Sequence, residues 1–244
     1  MSIPTEHLPR AFVSRRKFLA MLTAGTVVAS GYSSVLVLAA NRADTGGTEL
    51  TGEEALKRLM EGNARYVAAK ATHPNQTTER RMEVAKGQNP FAVILSCSDS
   101  RVPAEILFDQ GLGDLFVLRT AGNVLADVVV GSIEYAVAEL KVPLLMVLGH
   151  ENCGAVKAAV SLVKDGAKFP GQINRLAELI APAAKKAKDM PGDFVDNTVR
   201  LNAVMTAAEL SKTEPILAEA TKDKQLMVVA ARYDLDEGRV EVLK

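Results

Sequence analysis

Two uninterrupted apolar runs constrain the fold of this chain more than any other feature. Phe91-Ala92-Val93-Ile94-Leu95 and Leu144-Leu145-Met146-Val147-Leu148 each hold five apolar residues without alternation. A strand with one face in water alternates; a strand buried on both faces, in a parallel sheet between helices, does not. The pattern predicts strands over 91–96, 114–118, 144–149 and 226–232, three of them nearly all apolar. Helical spacing lies between them, over 103–109, 124–140, 153–165, 172–188 and 194–211. This alternation predicts an α/β fold: a central, mostly parallel β-sheet flanked by helices. Arg239-Val240-Glu241-Val242-Leu243 alternates after a turn at Glu237-Gly238 and reads as an edge strand. Upstream, Thr51-Gly52-Glu53-Glu54 reads as a capping box opening a helix with Leu56, Leu59, Met60, Asn63, Tyr66 and Val67 on its spacing. A short polar helix follows from about Thr78 to Lys86.

Each apolar run ends in residues that carry chemistry. The first leads into Cys97-Ser98-Asp99-Ser100-Arg101, the second into His150-Glu151-Asn152-Cys153. Together they use both cysteines of the chain and one of its three histidines. Thiolate, imidazole and thiolate are what a tetrahedral zinc ion takes when its fourth position is left for chemistry. Sites on open parallel sheets lie at the carboxyl ends of strands, so neighbouring strands would bring both halves to one edge. Residues two apart in an extended segment face the same way, so Cys97, Asp99 and Arg101 are expected to project together. Cys153 falls at the start of a helix, where a thiolate is favoured.

Charge counting gives the neighbours a part. Two thiolates cancel the formal charge of zinc, which then acidifies its water less than a three-histidine site, where the pKa is about 7. A hydroxide there needs an acceptor to hold it. Asp99 is placed to be that acceptor, and Arg101 to keep Asp99 ionised and off the metal. Singly, each residue has a plainer explanation. A lone Cys is most often a small buried hydrophobe, two in an exported protein can form a disulfide, and a lone His is more often structural. The two motifs together, both at strand ends, are hard to explain as packing. Asp-Ser-Arg behind a buried strand is costly to hide unless paired.

The N-terminus differs from the rest. Arg15-Arg16 precede an uncharged apolar stretch, Phe18 to Ala40, diluted by Gly and Ser and ending in small residues. Residues 1–40 read as a twin-arginine export signal, 41–50 as a linker and 51–244 as the catalytic domain. The stretch is also long enough for an uncleaved membrane anchor. Export by this route places the protein in the periplasm or otherwise outside the cytoplasm, with zinc able to protect both thiols on the way. The full chain has zero formal net charge, with no basic field for nucleic acid. Losing residues 1–40 removes four of the 29 basic and one of the 29 acidic residues, leaving −3.

From Leu50 to the C-terminus the sequence resembles the β-class carbonic anhydrases. The resemblance rests on Cys97-Ser98-Asp99-Ser100-Arg101-Val102-Pro103 and His150-Glu151-Asn152-Cys153-Gly154-Ala155, with Arg119-Thr120-Ala121-Gly122-Asn123 and Gly131-Ser132-Ile133-Glu134-Tyr135 beside them. It implies Cys97, His150 and Cys153 as ligands of one zinc per subunit, and Asp99–Arg101 as the catalytic dyad. It implies reversible hydration of carbon dioxide to bicarbonate and a proton, by attack of a zinc-held hydroxide. Gln88, Phe116 and Tyr135 match the substrate-pocket trio of the branch whose site stays open. In that branch Gln88 and the Gly154 N–H would meet the developing oxyanion, and the two rings would form the wall for CO₂. It implies a homodimer or higher even oligomer in which partner residues complete each pocket, and an N-terminal helix, from about Thr51 to Lys70, packing on the partner. Glu151 and Asn152 replace the small residues common in the family, and Glu151 could alter proton transfer or merely face solvent. His73, in a loop, is a weak shuttle candidate. A hydrolase of CS₂ or COS using the same site, and an exported zinc-binding protein without turnover, are the alternatives.

Overall fold

The structure is a computed structural model that describes residues 48–244. The expected export signal, residues 1–40, and most of the linker lie outside the described residues. The elements run α1 (Gly52–Val67), α2 (Thr78–Val84), β1 (Ala92–Cys97), α3 (Ala104–Leu107), β2 (Leu115–Thr120), a 3₁₀ turn (Ala121–Asn123), α4 (Asp127–Ala138), β3 (Leu144–His150), α5 (Gly154–Asp165), α6 (Ile173–Ala187), α7 (Phe194–Leu210), α8 (Ile216–Lys222), β4 (Met227–Tyr233) and β5 (Val240–Leu243).

The strands form one sheet in the order β2-β1-β3-β4-β5. The first three pairings are parallel, and β5 closes the sheet antiparallel to β4. The apolar runs behave as their lack of alternation demands: every residue of β1 and β3 is buried. Val93, Leu95, Leu145 and Val147 face a core made with α4, α7 and α8, including Ile133, Leu210 and Leu217. Ile94, Leu144, Met146 and Leu148 face the other way, onto Ala55 and Leu59 of α1 and onto Leu107 and Phe108. A third cluster at the carboxyl edge of the sheet joins Cys97 and Cys153 to α5, α6 and α7.

Helix α1 opens on the expected capping box, with Thr51 and Glu54 each accepting from the other's backbone N–H. Ala55 and Leu59 of its apolar stripe are buried on its own chain, while Val67 stays exposed. Gly62 lies where a Cβ would run into the Phe108 carbonyl, which brings α1 against the end of α3. One residue on, Asn63 donates to Leu107 O at 3.0 Å and Gly238 O at 2.9 Å, and accepts from Val240 N at 2.9 Å. Helix and C-terminal hairpin are thus stapled through one buried amide. No helix among the described residues is long and apolar enough to cross a membrane.

Sequence spacing had nothing to mark α8, a short helix after a loop rich in charge. Strand β2 is one of the two edge strands. At the sheet's edge, its side chains are mostly half-buried where those of β1 are fully buried. Beside it, α4 leaves Val128 79 % exposed and Tyr135 50 % exposed.

Candidate metal centre

Cys97 ends β1 and His150 ends β3, and these strands are neighbours, so the two motifs meet at the carboxyl edge of the sheet. Cys153 is the N-cap of α5. The Sγ atoms and a His150 ring nitrogen lie within 4.8 Å of one another. The two sulfurs are 3.9 Å apart and unbonded. Two sulfurs about 2.3 Å from one zinc at a tetrahedral angle would stand about 3.8 Å apart, so the pair is spaced for a shared ion and too wide for a disulfide.

His150 supports the same conclusion. Its Nδ1 lies 2.8 Å from the Glu151 carbonyl, which can only accept, so the proton sits on Nδ1. Nε2 then presents a lone pair, buried and without a hydrogen-bond partner. An orphaned imidazole nitrogen facing two buried sulfurs is costly unless a cation takes all three. The donor set fits zinc, and the backbone acceptor on Nδ1 is the outer support that metal-binding imidazoles use.

The thiols are unequal. Hydrogen bonding from Cys153 draws the Cys97 thiol down against the desolvation of burial, helped by the Gly122 N–H. The Gly122 N–H donates to Cys97 Sγ at 3.2 Å. Cys153 is pushed up by its pairing with Cys97 and by burial, with the α5 N–H groups of Val156 and Ala155 pulling the other way.

Beyond Cys97 the chain does not stay extended, so the alternation expected for Cys97, Asp99 and Arg101 fails after the first residue. It turns at Ser100-Arg101. Asp99 Oδ1 accepts the Arg101 N–H at 3.0 Å, which makes the turn. Asp99 and Arg101 are brought together by that turn instead, with paired side-chain bonds of 2.9 and 2.8 Å. Arg101, and secondarily its backbone N–H, holds the Asp99 carboxyl well below the usual carboxylate range. Asp99 Oδ2 stands 3.8 Å from His150 Nε2, at the rim of the triad. The pair is not hidden: the Arg101 side chain is 55 % exposed.

Two contacts from β2 support this turn, through Arg119 and Thr120. Arg119 donates from Nε to Cys97 O at 3.0 Å and from Nη2 to Asp99 O. Ser98 N donates to Thr120 O at 3.2 Å. Glu151 neither faces open solvent nor reaches the metal triad through its carboxylate. It accepts Leu235 N at 3.1 Å and Asn152 Nδ2 at 3.1 Å, tying the His150–Cys153 loop to the turn after β4. The Arg119–Asn123 segment was visible as a motif, but no spacing rule linked it to the cysteines.

The expected pocket residues divide. Gly154 begins α5 directly after Cys153. Phe116 and Tyr135 pair with ring centroids 6.5 Å apart, on the uncovered β2–α4 side. Phe116 lies four residues before Thr120, the register partner of Cys97, so about 13 Å of strand separates them. Gln88, exposed, precedes the amino end of β1, with the full strand of about 16 Å between that end and Cys97. Within one chain these three are not brought to the metal triad. His73 is in the loop held by Asp109, which accepts its N–H at 2.8 Å.

Comparison with known proteins agrees with this geometry. A family model described as carbonic anhydrase matches residues 92–240. Carbonic anhydrase 2 of Mycobacterium tuberculosis is 45% identical over 185 residues, 76% of this chain and 89% of that protein. A carbonic anhydrase of Mycolicibacterium smegmatis is 44% identical over 188 residues, covering 77% and 91%. Among solved structures, the β-carbonic anhydrase CcaA superposes with a TM-score of 0.62 at 24% identity, over 77% of this chain and 94% of that one.

Proposed function

The chain belongs to the β-class carbonic anhydrase family, and from this premise we propose how its own residues hydrate carbon dioxide. It is a zinc enzyme, with Cys97, His150 and Cys153 as the site for the ion. Zinc held there supplies Lewis acidity, which makes a water nucleophilic near neutral pH.

Asp99 orients that nucleophile. Its carboxylate is kept ionised and accepts the hydrogen of the attacking oxygen, leaving a lone pair free for the carbon of CO₂. Arg101 holds Asp99 as a hydrogen-bond acceptor and prevents it from taking the fourth ligand position. The pairing of both Asp99 oxygens with Arg101 is the observation that carries this reading, and it also supports the open form of the site. Charge developing on the substrate oxygen is met by the Gly154 N–H at the start of α5.

Phe116, Tyr135 and Gln88 form the substrate wall of a neighbouring subunit in this reading. Their distance from the triad of their own chain supports it, and so does the uncovered apolar surface of β2 and α4, which a second copy would bury. The assembly is therefore a dimer or an even multiple of one. The paired Arg15-Arg16 and the apolar stretch behind them support export outside the cytoplasm.

Stopped-flow CO₂ hydration with zinc-loaded protein, beside sulfide release from CS₂ and COS, tests the reaction. Hydration should dominate, and Asp99→Ala should slow it by about 100-fold or more with zinc still bound. Wild-type rates in zinc-loaded Asp99→Ala would remove Asp99 from the mechanism. Full zinc occupancy without hydration would leave a binding protein.

A further inference from the structure

Behind the Cys97 thiol stands a residue with no part in the reaction as described so far. Asn202, buried on α7, donates its side-chain amide to the Gly122 carbonyl at 3.0 Å. Gly122 is in the left-handed region, φ 70° and ψ 23°. A Cβ there would come within 2.6 Å of Ile180 Cδ1 and 3.0 Å of Ala155 Cβ. The residue is thus wedged against α5 and α6 and gripped from α7. Its own N–H is the group that donates to Cys97 Sγ at 3.2 Å.

Asn202 lies on the buried face of its helix, with Thr198, Val199, Ala203 and Thr206 buried beside it. A buried amide is unfavourable unless paired, and here it is paired across 80 residues of sequence with the carbonyl of the residue whose N–H touches a metal ligand. Without that bond the Gly122 carbonyl would be left buried and free to turn toward another donor. Glycine has little torsional resistance, so residue 122 as a whole, with φ and ψ changing together, would shift and carry its N–H off the sulfur.

We propose that Asn202 is a positioning residue of the metal centre: by anchoring the carbonyl of Gly122 it fixes that residue's place, so that the Gly122 N–H stays on Cys97 Sγ and limits the charge that this thiolate gives to zinc. Hydrogen bonds to ligand sulfur tune metal sites in this way, and outer-shell partners change metal affinity by about 10- to 100-fold. The proposal rests on Cys97 being a zinc ligand.

The test uses cobalt-substituted and zinc-loaded protein. The wild type should show thiolate-to-cobalt charge transfer in the near ultraviolet; absence of that band would remove the ligand assignment and this proposal with it. Asn202→Leu, similar in volume but with no donor, should move the band to longer wavelength and change the rate of zinc release to a chelator about tenfold. Asn202→Gln, which keeps an amide donor, should restore most of both. Leu210→Ala, a buried change at the far end of the same helix, reports what loosening α7 does alone: a lower Tm with the band in place. If Asn202→Leu lowers Tm as Leu210→Ala does while band and release rate stay at wild-type values, Asn202 only packs and the proposal is overturned. Should leucine not be accommodated, Asn202→Ala carries the same comparison.

Discussion

Arg101 grips Asp99 as a fork: Nε meets Oδ1 at 2.9 Å and Nη2 meets Oδ2 at 2.8 Å. The carboxylate so held is 3.8 Å from the orphaned Nε2 of His150. An acid this near a zinc site closes on the metal unless something holds it back. Arg101→Ala should therefore lose CO₂ hydration by about 100-fold, and X-ray absorption of the zinc-loaded variant should gain a carboxylate oxygen. Arg101→Lys should fall between, because an ammonium cannot make the paired contact. Wild-type turnover in Arg101→Ala would show that the fork is not needed.

Zinc removal should be legible in the thiols. The chain has two cysteines, both buried at the site and unbonded. Loaded protein should react slowly with a thiol reagent and apoprotein should titrate two thiols per chain. Loss of the ion should lower Tm by about 5–10 °C when zinc was present at roughly 100 times its Kd. Equal thiol reactivity with and without zinc would contradict the ligand set.

Asp109 should govern part of the acid stability. It is buried, and burial works against its charge. The N–H of Thr72, Arg65, the N–H of His73 and the Thr72 hydroxyl outweigh that and hold its carboxyl well below the usual range. The unfolded value is about 3.9. With the folded value below it, the ion stabilises fully above about pH 4, and the contribution is lost as pH falls from there. Asp109→Asn should lower stability at pH 7 by about 2 kcal/mol and flatten the acid limb of a pH series of urea midpoints. An unchanged acid limb would place the sensitivity elsewhere.

Val128→Glu separates a surface from an interface. On a lone chain a residue 79 % exposed tolerates this change within about 0.5 kcal/mol. If a second copy covers α4, a buried carboxylate should split the assembly, and light scattering should report half the mass. An unchanged oligomer would move the interface away from α4.

Replacing Arg15 and Arg16 together by Lys should leave the protein in the cytoplasm on fractionation, while the exported wild type should begin near residue 41. Export undiminished by the double change would end the twin-arginine reading.

The elements of the sheet were readable because β1 and β3 are buried on both faces, and nothing but an unbroken apolar run satisfies that environment. The triad was readable because metal donors are rare residue types placed directly after those runs. Arg119, Glu151 and Asn202 were not. Each acts through main-chain carbonyls or N–H groups that any sequence supplies, so their partners leave no mark in residue type. The turn at Asp99–Arg101 is hidden from the sequence for a related reason. Residues two apart share a face only while the strand lasts, and a side chain that accepts a backbone N–H ends it. Phe116 has its own ambiguity: an aromatic on a strand looks like core until the sheet order shows that the strand lies on an edge.

The bond from Leu235 N to the Glu151 carboxylate joins residues 84 apart, and Glu151 N donates in turn to Tyr233 O. The loop that presents His150 and Cys153 therefore lacks its brace until the chain has grown past Leu235. A ribosome-bound chain stopped earlier would hold both cysteines without the frame that spaces them. A truncation before Leu235 would therefore act as a zinc-loading defect although it removes no ligand.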